Sequence, residues 1–186
     1  GPGAWTPDDW VYLDGFIPWR TRTIDGVPYM IGYLGGAAIY DGSGEGDGAM
    51  EIHGLTTTDG AQWTPVIPGQ PAVLAGGGSE ADFAFLEDGS LVAVVRNEEG
   101  DAEGFGSKIC RAGADAPGDW TCAADRRKYD SPLVFTHRGE VWLIGRRNVT
   151  DTGWFDLGDA DLTRDDAFLQ YSLDYWERPK RCALWR

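Results

Sequence analysis

Long apolar runs are missing from this chain, and so is any surplus of positive charge. No segment approaches the ~20 apolar residues a membrane-spanning helix needs. Sixteen Lys and Arg stand against 30 Asp and Glu, a formal charge of -14. Such a surface repels phosphate backbones and anionic lipid, so neither nucleic acid nor a membrane is expected as a partner. Three cysteines are too few for a disulfide-built scaffold. Cys110 and Cys122 flank a turn and read either as a disulfide or as two buried thiols, while Cys182 is left odd. The two histidines, His53 and His137, are isolated in sequence and read as packed side chains rather than metal ligands. Stretches that favour helix are few. What is plentiful is glycine, 27 residues, and tryptophan, nine, in a chain that is 42% apolar. That mixture, in a length suited to one domain, argues for an all-β fold with many turns.

The organising feature is a repeated unit. Residues 80–96 read as two strands joined by a tight turn at Asp88-Gly89, since Asp-Gly between apolar runs is a strong hairpin signal. Residues 130–146 repeat the unit around Gly139, and a looser copy surrounds Gly26. Counted from the turn glycine, a carboxylate falls at minus nine in two copies (Glu80, Asp130) and an arginine at plus seven (Arg96, Arg146). Self-similarity at this period indicates β-propeller blades. Blade one is expected over about 16–66, with strands near 17–24, 27–34 and 49–57. Blade two is expected over about 80–125, with strands at 80–87, 90–97, 107–112 and 119–124. Blade three runs from about 130 to 186, with strands at 131–137 and 140–147 and an insertion over about 148–178. Within the insertion Thr163 reads as a helix N-cap, Phe168, Tyr171 and Tyr175 fall at helical spacing, and Pro179 ends the segment, giving one short helix near 162–178. Lys180-Arg-Cys182 matches Lys108-Ile-Cys110, which makes it the third strand of an incomplete blade. About two and a half blades leave edges unpaired, so a second polypeptide or a second copy is expected to complete the array. A closed sandwich is the competing architecture.

Two motifs carry a family resemblance. Thr57-Thr-Asp59-Gly60-Ala-Gln-Trp63 resembles the Asp-box of sialidase-like propellers in shortened form, with a weaker echo at Gly118-Asp-Trp120-Thr. The physics is local: Asp59 folds its carboxylate onto nearby backbone N–H groups and Trp63 packs beneath the hairpin. The stretch from Glu80 to Arg96 resembles the sialidase segment in which a glutamate opens one strand and an arginine closes the next. That resemblance implies a six-bladed propeller of which this chain holds the first two to three blades. It implies that Arg96 belongs to an arginine triad for the sugar carboxylate and that Glu80 assists a tyrosine nucleophile. Arg146 would be a second arginine and Arg20 the first, although Phe16-Ile-Pro18 lacks the arginine the family places before its Ile-Pro. No tyrosine is assigned as nucleophile.

In antiparallel blades all first turns lie on one face, so Glu80, Arg96, Asp130 and Arg146 must converge on the other. Clustered guanidinium groups imply an anionic or polyhydroxylated ligand, and paired carboxylates are the working parts of glycoside hydrolysis. The expectation is a carbohydrate-active propeller acting as a glycoside hydrolase, with Glu80 and Asp130 catalytic and Arg20, Arg96 and Arg146 binding a glycan or small anionic ligand. The alternatives are a non-catalytic binding propeller, a half-propeller whose property is assembly, and a plain ring of Arg–carboxylate pairs that fastens blades together. No cofactor is expected; Asp41 to Asp47 alternates oxygen ligands as calcium loops do but lacks their bidentate glutamate. Asn148-Val-Thr150 is a glycosylation sequon, Arg126-Arg-Lys128 reads as a solvated turn, residues 4–15 as an aromatic strap, and Gly1-Pro-Gly3 as a tag remnant. Localisation stays open, a secreted or periplasmic setting being the candidate.

Overall fold

A computed structural model describes residues 11–36, 50–148 and 162–186. The strap's Trp5 and Trp10, the Asp41–Asp47 loop and most of the sequon lie outside the described residues. Among the described residues the fold is mostly β, 54% strand, in antiparallel sheets with no closed barrel. The first sheet contains β1 (Ile17–Ile24), β2 (Val27–Leu34), β3 (Glu51–Thr56) and β4 (Thr64–Pro65) in that order, with β5 (Ala72–Ala75) also paired to β3. The second contains β6 (Gly78–Phe85), β7 (Leu91–Asn97), β8 (Ser107–Ala112) and β9 (Thr121–Asp125). The third contains β10 (Asp130–His137), β11 (Glu140–Asn148) and β12 (Lys180–Trp185). Each is a meander in chain order, and the third has three strands among the described residues.

The sheets pack face to face in the order first, second, third. Ile31 and Ile52 of the first meet Phe83, Ala93 and Val95 of the second. The opposite face of the second, Ala84, Val92 and Val94, meets Tyr129, Val134 and Leu143 of the third. The second sheet is therefore buried on both sides, and every residue of β7 is buried. This is why Leu91-Val-Ala-Val-Val95 shows no polar alternation: a strand covered on both faces has no solvent side to mark.

The repeat is visible in the turns and the bulges. Asp25-Gly26 and Arg138-Gly139 make two-residue hairpins with positive φ at both positions, as the right-handed strand twist favours. The middle turn is wider than the sequence suggested. Leu86 N donates to Ser90 O at 2.7 Å, and Gly89 takes the left-handed place of a three-residue loop. The first strand of each sheet also carries an irregularity near its other end: between Pro18 and Arg20, between Gly78 and Ala81, and between Asp130 and Leu133.

Cys110 and Cys122 form a disulfide between paired positions of β8 and β9, and Cys182 is exposed. The expected match of Cys182 to Cys110 is corrected by register. Cys182 lies opposite Arg146, just as Ser107 lies opposite Arg96, so the third-strand alignment slips by three residues. Asp59 behaves as expected. Its Oδ1 accepts from Ala61 N at 2.9 Å and Gln62 N at 2.8 Å, and these bonds hold its carboxyl below the usual range. Trp63 Nε1 donates to the carbonyl three residues back, Gly60 O, at 3.2 Å. Trp120 Nε1 does the same to Pro117 O at 2.9 Å, so the weaker echo keeps the same local bond.

The helical insertion is present as α1 (Arg164–Phe168), a π-helical segment (Leu169–Leu173) and α2 (Asp174–Glu177). Thr163 is the N-cap, its Oγ1 accepting from Asp166 N at 3.1 Å. The buried face presents Tyr171 and Tyr175, which pack with Phe105.

Candidate functional site

The ends of β7 and β11 and the starts of β6 and β10 lie together, away from the hairpin turns. Arg96 is the centre. It is 1% exposed, and three carboxylates surround it. Its Nε lies 2.9 Å from Asp130 Oδ1, and its Nη1 lies 3.6 Å from Glu80 Oε1 and 3.4 Å from Glu98 Oε2. Arg146, whose side chain is 38% exposed, reaches Asp130 Oδ2 at 3.8 Å and donates from Nη2 to Ser131 Oγ at 2.9 Å. The four residues that the repeat brings to one face, Glu80, Arg96, Asp130 and Arg146, thus form one connected cluster.

The bulge in β10 makes the cross-sheet links. Ser131 stands at φ 46°, a left-handed conformation costing about 1–2 kcal/mol for a residue with a side chain. It turns Ser131 N toward Glu80 Oε2, a bond of 2.6 Å, with Ser131 Oγ at 3.1 Å from the same oxygen. The second sheet's carboxylate is therefore held by the third sheet's backbone.

Arg20 is not in this cluster. It lies beside the second buried acid, Asp82, its Nε 3.8 Å from Oδ2, while Arg22 Nη2 donates to that oxygen at 2.7 Å. Val134 N also donates to Asp82 Oδ2, at 2.7 Å. Asp82 thereby ties all three sheets at one point, and burial pushes its carboxyl up against those attractions. In the first sheet the place seven residues after the turn glycine belongs to Tyr33. Its hydroxyl is raised by burial and by the nearby Glu98 and Glu80, with Arg96 opposing. The first sheet contributes a phenol there, not a guanidinium.

Four further residues of the site escaped sequence reading. Glu98 is buried against Arg96, and burial pushes its carboxyl up to about 7 although Lys128 attracts it, with Asp130 adding repulsion. Lys128 is buried, not in a solvated turn, and donates to Asn97 O at 3.3 Å and Tyr171 O at 3.1 Å. Tyr175, fully buried, donates its hydroxyl to Asp130 Oδ2 in a short hydrogen bond; burial first, then Asp130, hold its pKa well above the ordinary phenol value. Trp176, 44% exposed, lays its ring 5.0 Å from the Arg96 guanidinium carbon. The only available signal was the helical spacing of Tyr171 and Tyr175, which marked a buried face without saying what it covered. Glu98 has no counterpart in the repeat, since Asn148 holds that place in β11.

The helix is thus a cover. Ser172 Oγ donates to Glu98 O at 3.1 Å, and Lys180 Nζ donates to Tyr175 O at 2.8 Å, fixing the helix end over the cluster. Beneath it Arg96 Nη2 has no hydrogen-bond partner among the described residues, an orphan buried donor that asks for an acceptor. The clearest crevice lies elsewhere, between the first two sheets, and is apolar, lined by Tyr29, Leu55, Phe83 and Trp120 among others. Among the described residues no group of His, Cys, Asp and Glu could hold a metal ion, and no helix is long and apolar enough to cross a membrane. His53 is buried, its Nε2 3.1 Å from Glu51 Oε2, whereas His137 is exposed beside its turn, which corrects the expectation that it packs. No family model matches the chain, and no curated protein matches it in sequence.

Proposed function

We propose that the chain is part of a sialidase-like β-propeller and is carbohydrate-active, a glycoside hydrolase taking an anionic or polyhydroxylated glycan at the Arg96 cluster. The observation that carries this reading is the meeting of Glu80, Arg96, Asp130 and Arg146, drawn from two sheets, around a buried guanidinium with an unused donor. The carboxyl groups are also unlike one another. Glu98, lifted to about 7 by burial, keeps a proton that a leaving oxygen can accept. Glu80 and Asp130, paired with Arg96, are placed as acceptors. A carboxyl raised by burial beside two arginine-paired carboxylates is the kind of grouping that acid–base hydrolysis of sugars uses. Substrate entry requires the helix over Arg96 to move, as lids do in many enzymes.

A second reading rests on the same guanidinium. Three carboxylates already meet Arg96, so the cluster equally suits a non-catalytic ligand-binding propeller in which Arg146 and Trp176 face the ligand. Turnover of a panel of fluorogenic glycosides, a sialoside included, separates the two. The hydrolase reading expects turnover that Asp130→Asn and Glu80→Gln abolish while circular dichroism is unchanged. No turnover of any glycoside, with glycan binding retained, would transfer the case to the binding reading.

A further inference from the structure

The two ends of the sheet stack are unlike its middle. No large apolar side chain of the second sheet is exposed among the described residues, whereas Leu133, Phe135, Ile144 and Leu184 of the third are exposed by 36–57%. Leu133, Ile144 and Leu184 are register partners across β10, β11 and β12, so they form one row on one face. The matching row of the second sheet, Asp82, Val94 and Ile109, belongs to the face that the third sheet covers. Among the described residues the third sheet therefore repeats a covered face without a cover. At the far end of the stack, the strap before β1 lies on the back of the first sheet. Tyr12 reaches His53, and the Phe16 ring comes within 2.4 Å of where a side chain on Gly32 would begin. From that strap Val11 and Leu13 are exposed by 44% and 48%.

Charge divides the same way. Among the described residues, 126–148 and 162–186 hold eleven Lys and Arg and six acids, a net +5. The described residues 11–36 and 50–77 hold two arginines and four acids, a net -2. Each end thus offers apolar side chains within a field of opposite sign to the other end, the complementarity that steers and orients association.

We infer that the uncovered face of the third sheet docks on the first-sheet end of a second copy of this chain. Two such contacts related by a twofold axis close the pair into a ring of six sheets, and closure stops the head-to-tail contact from growing into filaments. Arg146, whose Nε has no hydrogen-bond partner among the described residues, lies on the docking side of its sheet. The inference rests on reading the stack as part of a propeller but not on glycoside chemistry at the Arg96 cluster, so sedimentation can fail while turnover succeeds, and the reverse.

Sedimentation equilibrium of the unaltered chain tests it. The expected result is a dimer of the 20.3 kDa chain that loosens as salt screens the two fields. Ile144→Glu with Leu184→Glu should give a folded monomer, and so should Val11→Glu with Leu13→Glu, folding being checked by circular dichroism. Mixing the two variants should restore a weaker dimer, because one of its two contacts is then wholly unaltered. A chain that stays monomeric at every concentration overturns the inference. So does a dimer indifferent to the Val11 and Leu13 changes, which would mean that third sheets meet each other, and so do open-ended polymers.

Discussion

Arg96 and Arg146 occupy the same place in two sheets of the same construction, yet the molecule treats them differently. Each follows its turn glycine by seven residues and lies by the start of its own sheet's first strand, Arg146 opposite Asp130 and Arg96 opposite the bulge between Gly78 and Ala81. Arg96 is sealed by the next sheet and by the helix, and three acids answer it. Arg146 has no further sheet of its own chain beside it among the described residues, and its charged contact is a 3.8 Å approach to Asp130. The difference does not lie in the residue or in its register. It lies in what covers the sheet, so a repeat fixes where a charge stands while its neighbours decide how tightly that charge is held.

Replacing the two arginines in turn sharpens this contrast most. Arg96→Ala leaves Glu80, Glu98 and Asp130 buried around an empty place, and unfolding stability should fall by about 3–5 kcal/mol. Arg146→Ala removes a part-exposed partner from the buried Asp130, which keeps Arg96 and Tyr175, and should cost at most about 1 kcal/mol. Urea melts of both proteins check the pair. Equal losses would mean that cover does not control what an arginine contributes here. The next largest effect is expected at Asp82, where the third sheet first grips the second. Asp82→Ala strips Arg22 of its carboxylate and Val134 N of its acceptor, at about 3 kcal/mol for bonds to a buried charge. Hydrogen exchange should then show the third sheet loosening before the first two.

The same contrast explains what could be read before any coordinates. Spacing from the turn glycines located the hairpin strands of all three sheets within a few residues, because hairpin chemistry is local and depends on Asp-Gly and Arg-Gly pairs, but it gave no sign of β4 or β5 in the first sheet. It also brought Glu80, Arg96, Asp130 and Arg146 to one end, since antiparallel strands permit nothing else. It failed wherever the decisive contact crosses between elements. Arg20 was assigned to the cluster by residue type, but the bulge after Pro18 seats it against Asp82, and Tyr33 takes the equivalent place. Lys128 looked like part of a solvated basic turn, yet the insertion folds over it and supplies Tyr171 O as acceptor. Glu98 breaks the repeat and so had no pattern to announce it.

Glu98 gives a test of the covered side that has the opposite sign. Its folded pKa, about 7, exceeds the 4.5 of the free side chain. Between those values the folded protein binds a proton that the unfolded chain does not. Stability therefore falls as pH rises through that window, by about 3 kcal/mol at most for a shift of this size. Glu98→Gln removes the penalty while keeping the shape, so the variant should be the more stable protein at pH 8 and should lose its advantage by pH 4. Thermal melts across that range check it. A variant less stable at pH 8 would mean that Arg96 and Lys128 fully offset the burial of this carboxyl.

The most local effect concerns the cover itself, which shields Arg96. Thr163 caps α1 by accepting from Asp166 N, and Thr163→Ala should cost about 1 kcal/mol, the usual value of an N-cap. The cap lies outside the cluster, so the loss should be local. Amide exchange should quicken from Asp166 through Tyr175 while β7 and β8 keep their protection, because a helix can open below the free energy of global unfolding. If opening is what admits a ligand to Arg96, the same change should raise the rate at which an anion reaches the guanidinium without altering the sheets around it. If exchange quickens equally in β7, the helix and the second sheet unfold as one unit, and Arg96 is reached only when the stack itself comes apart.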